Sequence, residues 1–203
     1  MSRLGVEVAV ELAVVAVVCF LIGSVNPASL VARALGRDLR SAGSGNPGAT
    51  NAGRVLGRRW GVLVLVLDLL KAYLPTLVVL RTMGTVPALV AGFAVVLGHV
   101  FSPFLRGRGG KGAACALGAV LAVEPVVGLA AVVVFGVTKA VVPFVGEASV
   151  VTTLGLGLVG LLALVGLVPW VGPLVGGWLL ALSLVVLSRH RRNILAWWKR
   201  RLR

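Results

Sequence analysis

The chain has 203 residues, 59% of them hydrophobic and only 13% charged, with a mean hydropathy of +1.05. That mix excludes an ordinary soluble enzyme and leaves an integral membrane protein, small enough to form a single unit over residues 1–203 with no room for a soluble domain. The formal charge of +14 has the sign of a nucleic-acid binder, but in so apolar a chain it reads as cytoplasmic positive loops in contact with anionic lipid, and no nucleic-acid partner is expected.

Apolar spans run from about Val8 to Leu35, Gly61 to Leu80, Val86 to Phe104, Gly112 to Val137, Ser149 to Val168 and Val171 to Leu187. The N-terminus carries an arginine and an apolar run, as a signal peptide does. Glu7 and Glu11 interrupt the run and no small-residue cleavage site follows cleanly, so a retained first helix is expected. Gly23, Asn26 and Pro27 predict a kink in that helix, with its second half near the interface. Trp60, Trp170, Trp197 and Trp198 flank apolar spans as interfacial anchors do. Cys19 and Cys115 lie in apolar segments without metal-type spacing, so neither a disulfide nor a ligand role is assigned.

The segment after the first span, Ser41 to Arg54, reads SAGSGNPGATNAGR, with four Gly, two Ser and two Asn. Exposed backbone N–H groups in such a turn, leading into a helix, form a general anion site; on composition alone a flexible inter-helix loop is an equal reading. A helix starting near Thr50 would point Asn51 and Arg54 the same way, one turn apart. Thr50 or Ser44 can then offer a hydroxyl, and Arg54 can take a phosphate in two hydrogen bonds. Within the second span Asp68 and Lys71 are i, i+3 neighbours, expected to pair and to face the bundle interior. His99, on the apolar third span, reads as a satisfied core or interface histidine rather than a base.

GRGGKG follows at Gly107–Gly112. It is not a nucleotide-hydrolysing phosphate loop, because Leu105 stands where such a motif needs glycine and no Ser or Thr follows Lys111. A lysine set in glycines at the start of a helix still suits an anion. Near the C-terminus His190 and Asn193 sit i, i+3 in RHRRNI; a basic helix end gripping lipid headgroups explains the arginines but accounts less well for these two.

Sixteen of the 20 Lys and Arg fall after span one, after span three or at the C-terminus. The positive-inside rule puts all three regions on one side, which demands an even number of crossings after Lys111. Glu124-Pro125 lies near the middle of the fourth apolar stretch, and a break there gives two short helices, about 112–123 and 126–138. The expected fold is therefore all-α, a polytopic bundle of seven transmembrane helices with the N-terminus out and the C-terminus in. Arg54, Lys111, Lys139 and His190 then share a cytoplasmic face suited to anionic substrates, more than one phosphate included. No Ser-His-Asp order, paired carboxylates or metal cluster is apparent, so neither metal nor cofactor is expected.

Three stretches, GSGNPGATNAGRVLG at 43–57, GHVFSPFLRGRGGKGAA at 98–114 and HRRNI at 190–194, resemble the signature regions of the PlsY family, the bacterial acyl-phosphate:glycerol-3-phosphate acyltransferases. The first two matches are close, and a looser likeness extends over nearly the whole chain. The resemblance implies a multi-pass, monomeric enzyme of the bacterial plasma membrane with its site facing the cytoplasm. Its partners would be acyl phosphate, glycerol 3-phosphate and membrane lipid, its product lysophosphatidic acid. It places Ser44, Lys111, His190 and Asn193 in the catalytic group. Gly45, Asn46, Gly48, Thr50, Asn51, Arg54, Gly109, Gly110, Lys139 and Ser149 complete the expected substrate-phosphate contacts. Whether His190 takes the hydroxyl proton or only binds phosphate stays open, because a substrate phosphate can itself be the base.

The chain departs from the family pattern in three places. Lys139 and a single Ser149 stand where an Arg followed closely by two serines is usual, Trp197-Trp198-Lys199 and arginines replace a Gly-x-Glu ending, and Asn26-Pro27 replaces Ile-Pro or a close variant. A transporter of an anionic phosphate compound and a non-catalytic binder of anionic lipid are the competing readings. The outer loops, around Arg81–Thr85 and Pro169–Pro173, carry little chemistry for a transporter's second gate.

Overall fold

The structure, a computed structural model, describes residues 3–201, which are helical apart from their connections. Arg203 of the C-terminal basic cluster lies outside the described residues. The first apolar stretch breaks into α1 (Arg3–Ser24) and α2 (Pro27–Ala34). The sequence dictates the break. Asn26 is an extended N-cap whose side chain accepts from Ser29 N at 2.8 Å, and Pro27, lacking an N–H, fits the first helical position.

Next come α3 (Ala49–Val55), α4 (Arg58–Met83), α5 (Thr85–Val100), a single 3₁₀ turn (Pro103–Leu105), α6 (Ala113–Val123), α7 (Pro125–Val141), α8 (Val145–Leu164), α9 (Pro173–Arg189) and α10 (Arg191–Arg201). The expected split at Glu124-Pro125 is present: Glu124 is non-helical at φ −129°, and the proline opens α7. The expected span from Ser149 to Val168 is displaced toward the N-terminus, to Val145–Leu164, with Phe144, just after Pro143, as its extended N-cap. α10, expected only as the basic end of the last helix, is a separate element that leaves α9 at a 66° bend around His190.

Among the described residues, four helical segments are long and apolar enough to cross a membrane, one of them α1 and α2 together, and α9 with α10 makes five if the bent pair counts as one span. α6 and α7 are apolar but shorter. A belt of exposed apolar side chains, including Leu4, Val133 and Leu174, surrounds the bundle as lipid-facing residues do.

Helix pairs close through small residues, as expected where lipid supplies no hydrophobic drive between helices. A Cβ on Gly98 would fall 2.0 Å from Phe20 O on α1, and one on Gly118 would fall 2.2 Å from Leu69 O on α4. Gly160 and Gly176 do the same for α8 and α9. Val95, Val96, Val120, Leu179 and Leu182 fill the centre, and Trp178 is anchored there by Nε1–H donating to Leu89 O at 2.9 Å.

The break between α1 and α2 leaves the carbonyls of buried Ser24 and exposed Val25 without helical partners. Lys71 Nζ donates to Val25 O at 2.7 Å, and Ser102 Oγ donates to Ser24 O at 2.7 Å. The Lys71 ammonium is neutralised by the buried Asp68 carboxylate at 2.9 Å, and His99 Nδ1 lies 3.0 Å from the ammonium and 3.3 Å from the carboxylate. The Asp68–Lys71 pair and the satisfied core histidine are thus as expected.

Breaking one half of a buried pair leaves an uncompensated charge and costs about 3–5 kcal/mol, whereas replacing both halves with apolar residues is often near neutral. Thermal unfolding in detergent should therefore show a much larger loss for Lys71→Met alone than for Asp68→Leu with Lys71→Met. Equal losses would mean that the pair is not coupled.

Candidate active site

The glycine-rich segment before α3 is folded around one side chain. Asn51 Oδ1 accepts from Ser44 N at 2.8 Å, while Nδ2 donates to Leu39 O at 3.0 Å and Ala42 O at 3.1 Å. These bonds pair the Leu39 carbonyl and the Ser44 amide, and they add to the turn bond that Ala42 O already accepts from Gly45 N at 3.2 Å. Gly43 is required where it stands: at φ +61° a Cβ would lie 2.2 Å from Asn51 Oδ1. The expectation that Asn51 and Arg54 point the same way is corrected. Asn51 is 1% exposed and fully engaged as the loop's clamp, whereas Arg54, in the last turn of α3, faces out.

The second motif also resolves into framework and functional parts. Gly109 N donates to Val100 O at 3.0 Å and Gly110 N to His99 O at 3.1 Å, capping carbonyls that the end of α5 leaves open. Gly109 and Gly110 therefore do not offer these amides to a phosphate, contrary to expectation. Their missing side chains let the loop lie on α5, since a Cβ on Gly110 would fall 2.1 Å from His99 Nε2. Lys111, the next residue, is turned out of this framework, and Nζ donates to Asn193 Oδ1 on α10.

Asn193 in turn packs on the first turn of α8, where a Cβ on Gly146 would fall 1.9 Å from its Nδ2. Ser149, one turn further along α8, donates from Oγ to Val145 O of its own helix at 3.0 Å. α10 is held there by the ion pair of Arg200 with buried Glu147, and the Arg200 guanidinium lies 4.2 Å over the Phe144 ring. Lys139 is not drawn into this group by its hydrogen bond, which runs to Val142 O at 3.3 Å at the end of its own helix, where a cation meets open carbonyls.

His190 sits at the bend between α9 and α10, 2% exposed. Its Nδ1 is 2.8 Å from Val186 O; a carbonyl only accepts, so Nδ1 carries the hydrogen and Nε2 of the neutral ring is left as an acceptor. Burial first, and then the nearby Lys111 charge, pull its pKa down to about 4, against the opposing effect of the Val186 hydrogen bond. Burial and the neighbouring Arg54 guanidinium likewise lower the Lys111 ammonium from its ordinary value. Lys111 thus links three separate segments: it bonds Asn193, and its charge is felt by His190 and feels that of Arg54.

Beside them opens a basin of about 460 Å³, lined by Arg40, Ser41–Gly45, Arg108 and Arg192. Ser44 and Gly45 are where the anion-cradle reading expects them. Asn46 and Gly48 shape the turn into α3 through Gly48 N donating to Asn46 O at 3.0 Å. Among the described residues the hydroxyls of Ser44 and Thr50 and the guanidinium of Arg54 have no hydrogen-bond partner, leaving them available to a ligand. Arg40, Arg108 and Arg192 were legible in the sequence only as topological charge; their place beside both motifs was the available signal.

One buried trio, Asp68, His99 and Cys115, brings ligand-type atoms within 4.8 Å of one another. The Lys71 ammonium against Asp68 already supplies the positive charge that a metal ion would bring. The trio is therefore read as packing.

A family model described as glycerol-3-phosphate acyltransferase matches residues 13–200. The glycerol-3-phosphate acyltransferase of Geotalea daltonii is 38% identical over 176 residues, covering 86% of this chain and 88% of that protein. Its counterpart in Geobacter sulfurreducens is 39% identical over 184 residues, covering 87% and 89%. Among solved structures, crystal structures of PlsY, an integral membrane glycerol 3-phosphate acyltransferase, superpose on the chain. The glycerol 3-phosphate form does so with a TM-score of 0.85 at 34% identity, covering 94% of this chain and 93% of that one. The lysophosphatidic acid form gives 0.83 at 33% identity.

The lowered pKa of His190 has a definite sign. The ring is neutral in the fold at pH values where a free histidine, at 6.5, is already half protonated. Stability attached to the neutral ring is present above pH 6.5 and is lost as pH falls toward 4. NMR of ring-labelled, ligand-free protein should find His190 unprotonated at a pH near 5.5. Lys111→Gln, by removing a neighbouring charge, should raise its midpoint. A His190 midpoint near 6.5, unmoved by that substitution, would contradict the assignment.

Proposed function

The chain belongs to the glycerol-3-phosphate acyltransferase family, and we propose that it transfers a fatty acyl group from acyl phosphate to the 1-hydroxyl of glycerol 3-phosphate, releasing lysophosphatidic acid and inorganic phosphate. The observation that carries the proposal is the convergence of Arg54, Lys111, Asn193 and His190 beside a basin with three further arginines. Two phosphates brought together need that much positive charge. An acyl phosphate is already activated, so the protein needs chiefly to place the reactants and stabilise developing negative charge.

In this reading Arg54 and Lys111, with the Ser44 and Thr50 hydroxyls, hold the phosphates. Asn51 and the amides of Gly109 and Gly110 act indirectly, by fixing the two loops. The acceptor hydroxyl oxygen attacks the acyl carbonyl carbon. The resulting oxyanion collapses, the bond from carbon to phosphate oxygen breaks, and the phosphate leaves with that electron pair. The hydroxyl proton passes to the departing phosphate or to Nε2 of His190, which is neutral and lacks a hydrogen. Ser149 lies one turn beyond the Asn193 contact on α8 and is positioned for the acceptor side. Lys139 is assigned no direct contact.

Seven crossings with the N-terminus out and the C-terminus in complete the proposal, which sets the site at the cytoplasmic face of a bacterial plasma membrane and treats the chain as a monomeric single unit. Its support is physical. Arg40 Nη2 donates to Leu105 O at 2.9 Å, and Lys111 bonds Asn193, so the three basic regions meet at one end of the bundle. Even crossings between them satisfy that meeting and the positive-inside rule together.

Purified protein in nanodiscs, given acyl phosphate and glycerol 3-phosphate, should release inorganic phosphate in step with lysophosphatidic acid. Arg54→Ala and Lys111→Ala should each lower kcat/KM by about 100-fold while leaving the unfolding midpoint in place. Unchanged turnover in a folded Arg54→Ala protein would remove that residue from the site. Solute accumulation in sealed vesicles without acyl product would favour a transporter instead.

A further inference from the structure

A second basin of about 410 Å³ adjoins the first and plays no part in the proposed reaction. Arg33 and Arg37 line it from α2 and the turn after it, and Phe104 and Arg106 from the 3₁₀ turn after α5. Arg40 forms the wall shared by the two basins, and its guanidinium is committed to the carbonyls of Leu105 at 2.9 Å and Arg108 at 3.3 Å.

The other three arginines are different. Among the described residues the side chains of Arg33, Arg37 and Arg106 have neither an ion-pair nor a hydrogen-bond partner. The one carboxylate in the basin, Asp38, accepts from the backbone N–H of Arg40 at 2.9 Å and pairs with none of them. Arg106 is moreover the one non-glycine among the described residues with positive φ, +53°. An L-residue held there is disfavoured, and such conformations concentrate at binding sites.

The apolar surroundings identify the ligand's other half. Phe104 is 65% exposed, and Leu30 and Leu35, on and just after the same helix as Arg33, are 54% and 41% exposed. Of these Phe104 lines the basin itself, and the two leucines belong to the segment that carries Arg33. A soluble anion has no use for such apolar surface, whereas a phospholipid at the membrane interface needs cations for its phosphate and apolar surface for its upper methylenes. Guanidinium groups match phosphate oxygens in pairs of hydrogen bonds. We propose that this basin seats the phosphate headgroup of an anionic phospholipid from the surrounding leaflet, with Arg33, Arg37 and Arg106 on the headgroup and Phe104 against the chains. Arg40 separates the seat from the acyl-transfer basin.

Native mass spectrometry of detergent-solubilised protein titrated with phosphatidylglycerol or phosphatidylcholine tests the proposal. The wild type should retain phosphatidylglycerol about tenfold more tightly. The triple variant Arg33→Gln, Arg37→Gln, Arg106→Gln should lose that preference at an unchanged unfolding midpoint, while the off-basin control Arg58→Gln, Arg59→Gln keeps it. Millimolar inorganic phosphate or glycerol 3-phosphate should leave the lipid bound. Retention by the triple variant, loss of preference in the control, or displacement by either soluble phosphate would overturn the proposal. If the triple variant's midpoint falls, the single substitutions decide: each should weaken phosphatidylglycerol retention, and three singles at wild-type retention would overturn the seat.

Discussion

An ammonium buried at a broken helix organises the site end of this molecule. The separation of α1 from α2 leaves carbonyls without helical partners, and Lys71 reaches one of them from α4. A lone buried ammonium would be costly, so Asp68 lies against it. His99 brings α5 into the same cluster. Gly110 lies directly on the His99 ring and caps the carbonyl of that residue, which fixes the backbone one residue before Lys111. Helix break, ionic cluster, glycine loop and functional lysine thus form one chain of dependence.

The site is built from the opposite electrostatic choice. In the interior Lys71 is neutralised by Asp68, whereas at the site Lys111 feels the Arg54 charge and has a neutral amide, Asn193, as its partner. Such a cluster is repulsive until an anion arrives, which is the electrostatics the proposed binding of phosphates calls for. His190 follows the same logic: buried beside a cation, it stays neutral and keeps an acceptor nitrogen where a protonated ring would add further positive charge. The second, arginine-lined basin extends this unpaired positive surface toward the lipid-facing side.

Much of this was legible in the sequence, for reasons that differ by residue. Asp68 and Lys71 could be paired because ionised side chains three apart on an apolar helix have few alternatives. Glu124-Pro125 gave the break between α6 and α7 because proline stops the preceding residue from staying helical. The glycine motifs located the site but did not divide its labour. A dense run of glycines looks alike whether its amides face a ligand or cap a neighbouring helix, and only the packing of Gly109 and Gly110 on α5 separates the two. Asn51 likewise reads as a ligand contact from its neighbours, yet the peptide groups of its own loop claim it. The bend that makes α10 a separate helix was not legible, because the basic end of a continuing helix reads the same; the pairing of Arg200 with Glu147 across two distant segments holds it.

The central claim is that an activated acyl group passes directly between two phosphates held by fixed cations, with no covalent stage on the protein. A rapid-quench single turnover with acyl-labelled acyl phosphate tests it most directly, run with and without glycerol 3-phosphate and followed by mass analysis of the protein. The account predicts that label moves straight into lysophosphatidic acid and that the protein stays unlabelled when the acceptor is withheld. An acyl group found on Ser44, Lys111 or another side chain, formed without acceptor and discharged on its addition, would contradict it.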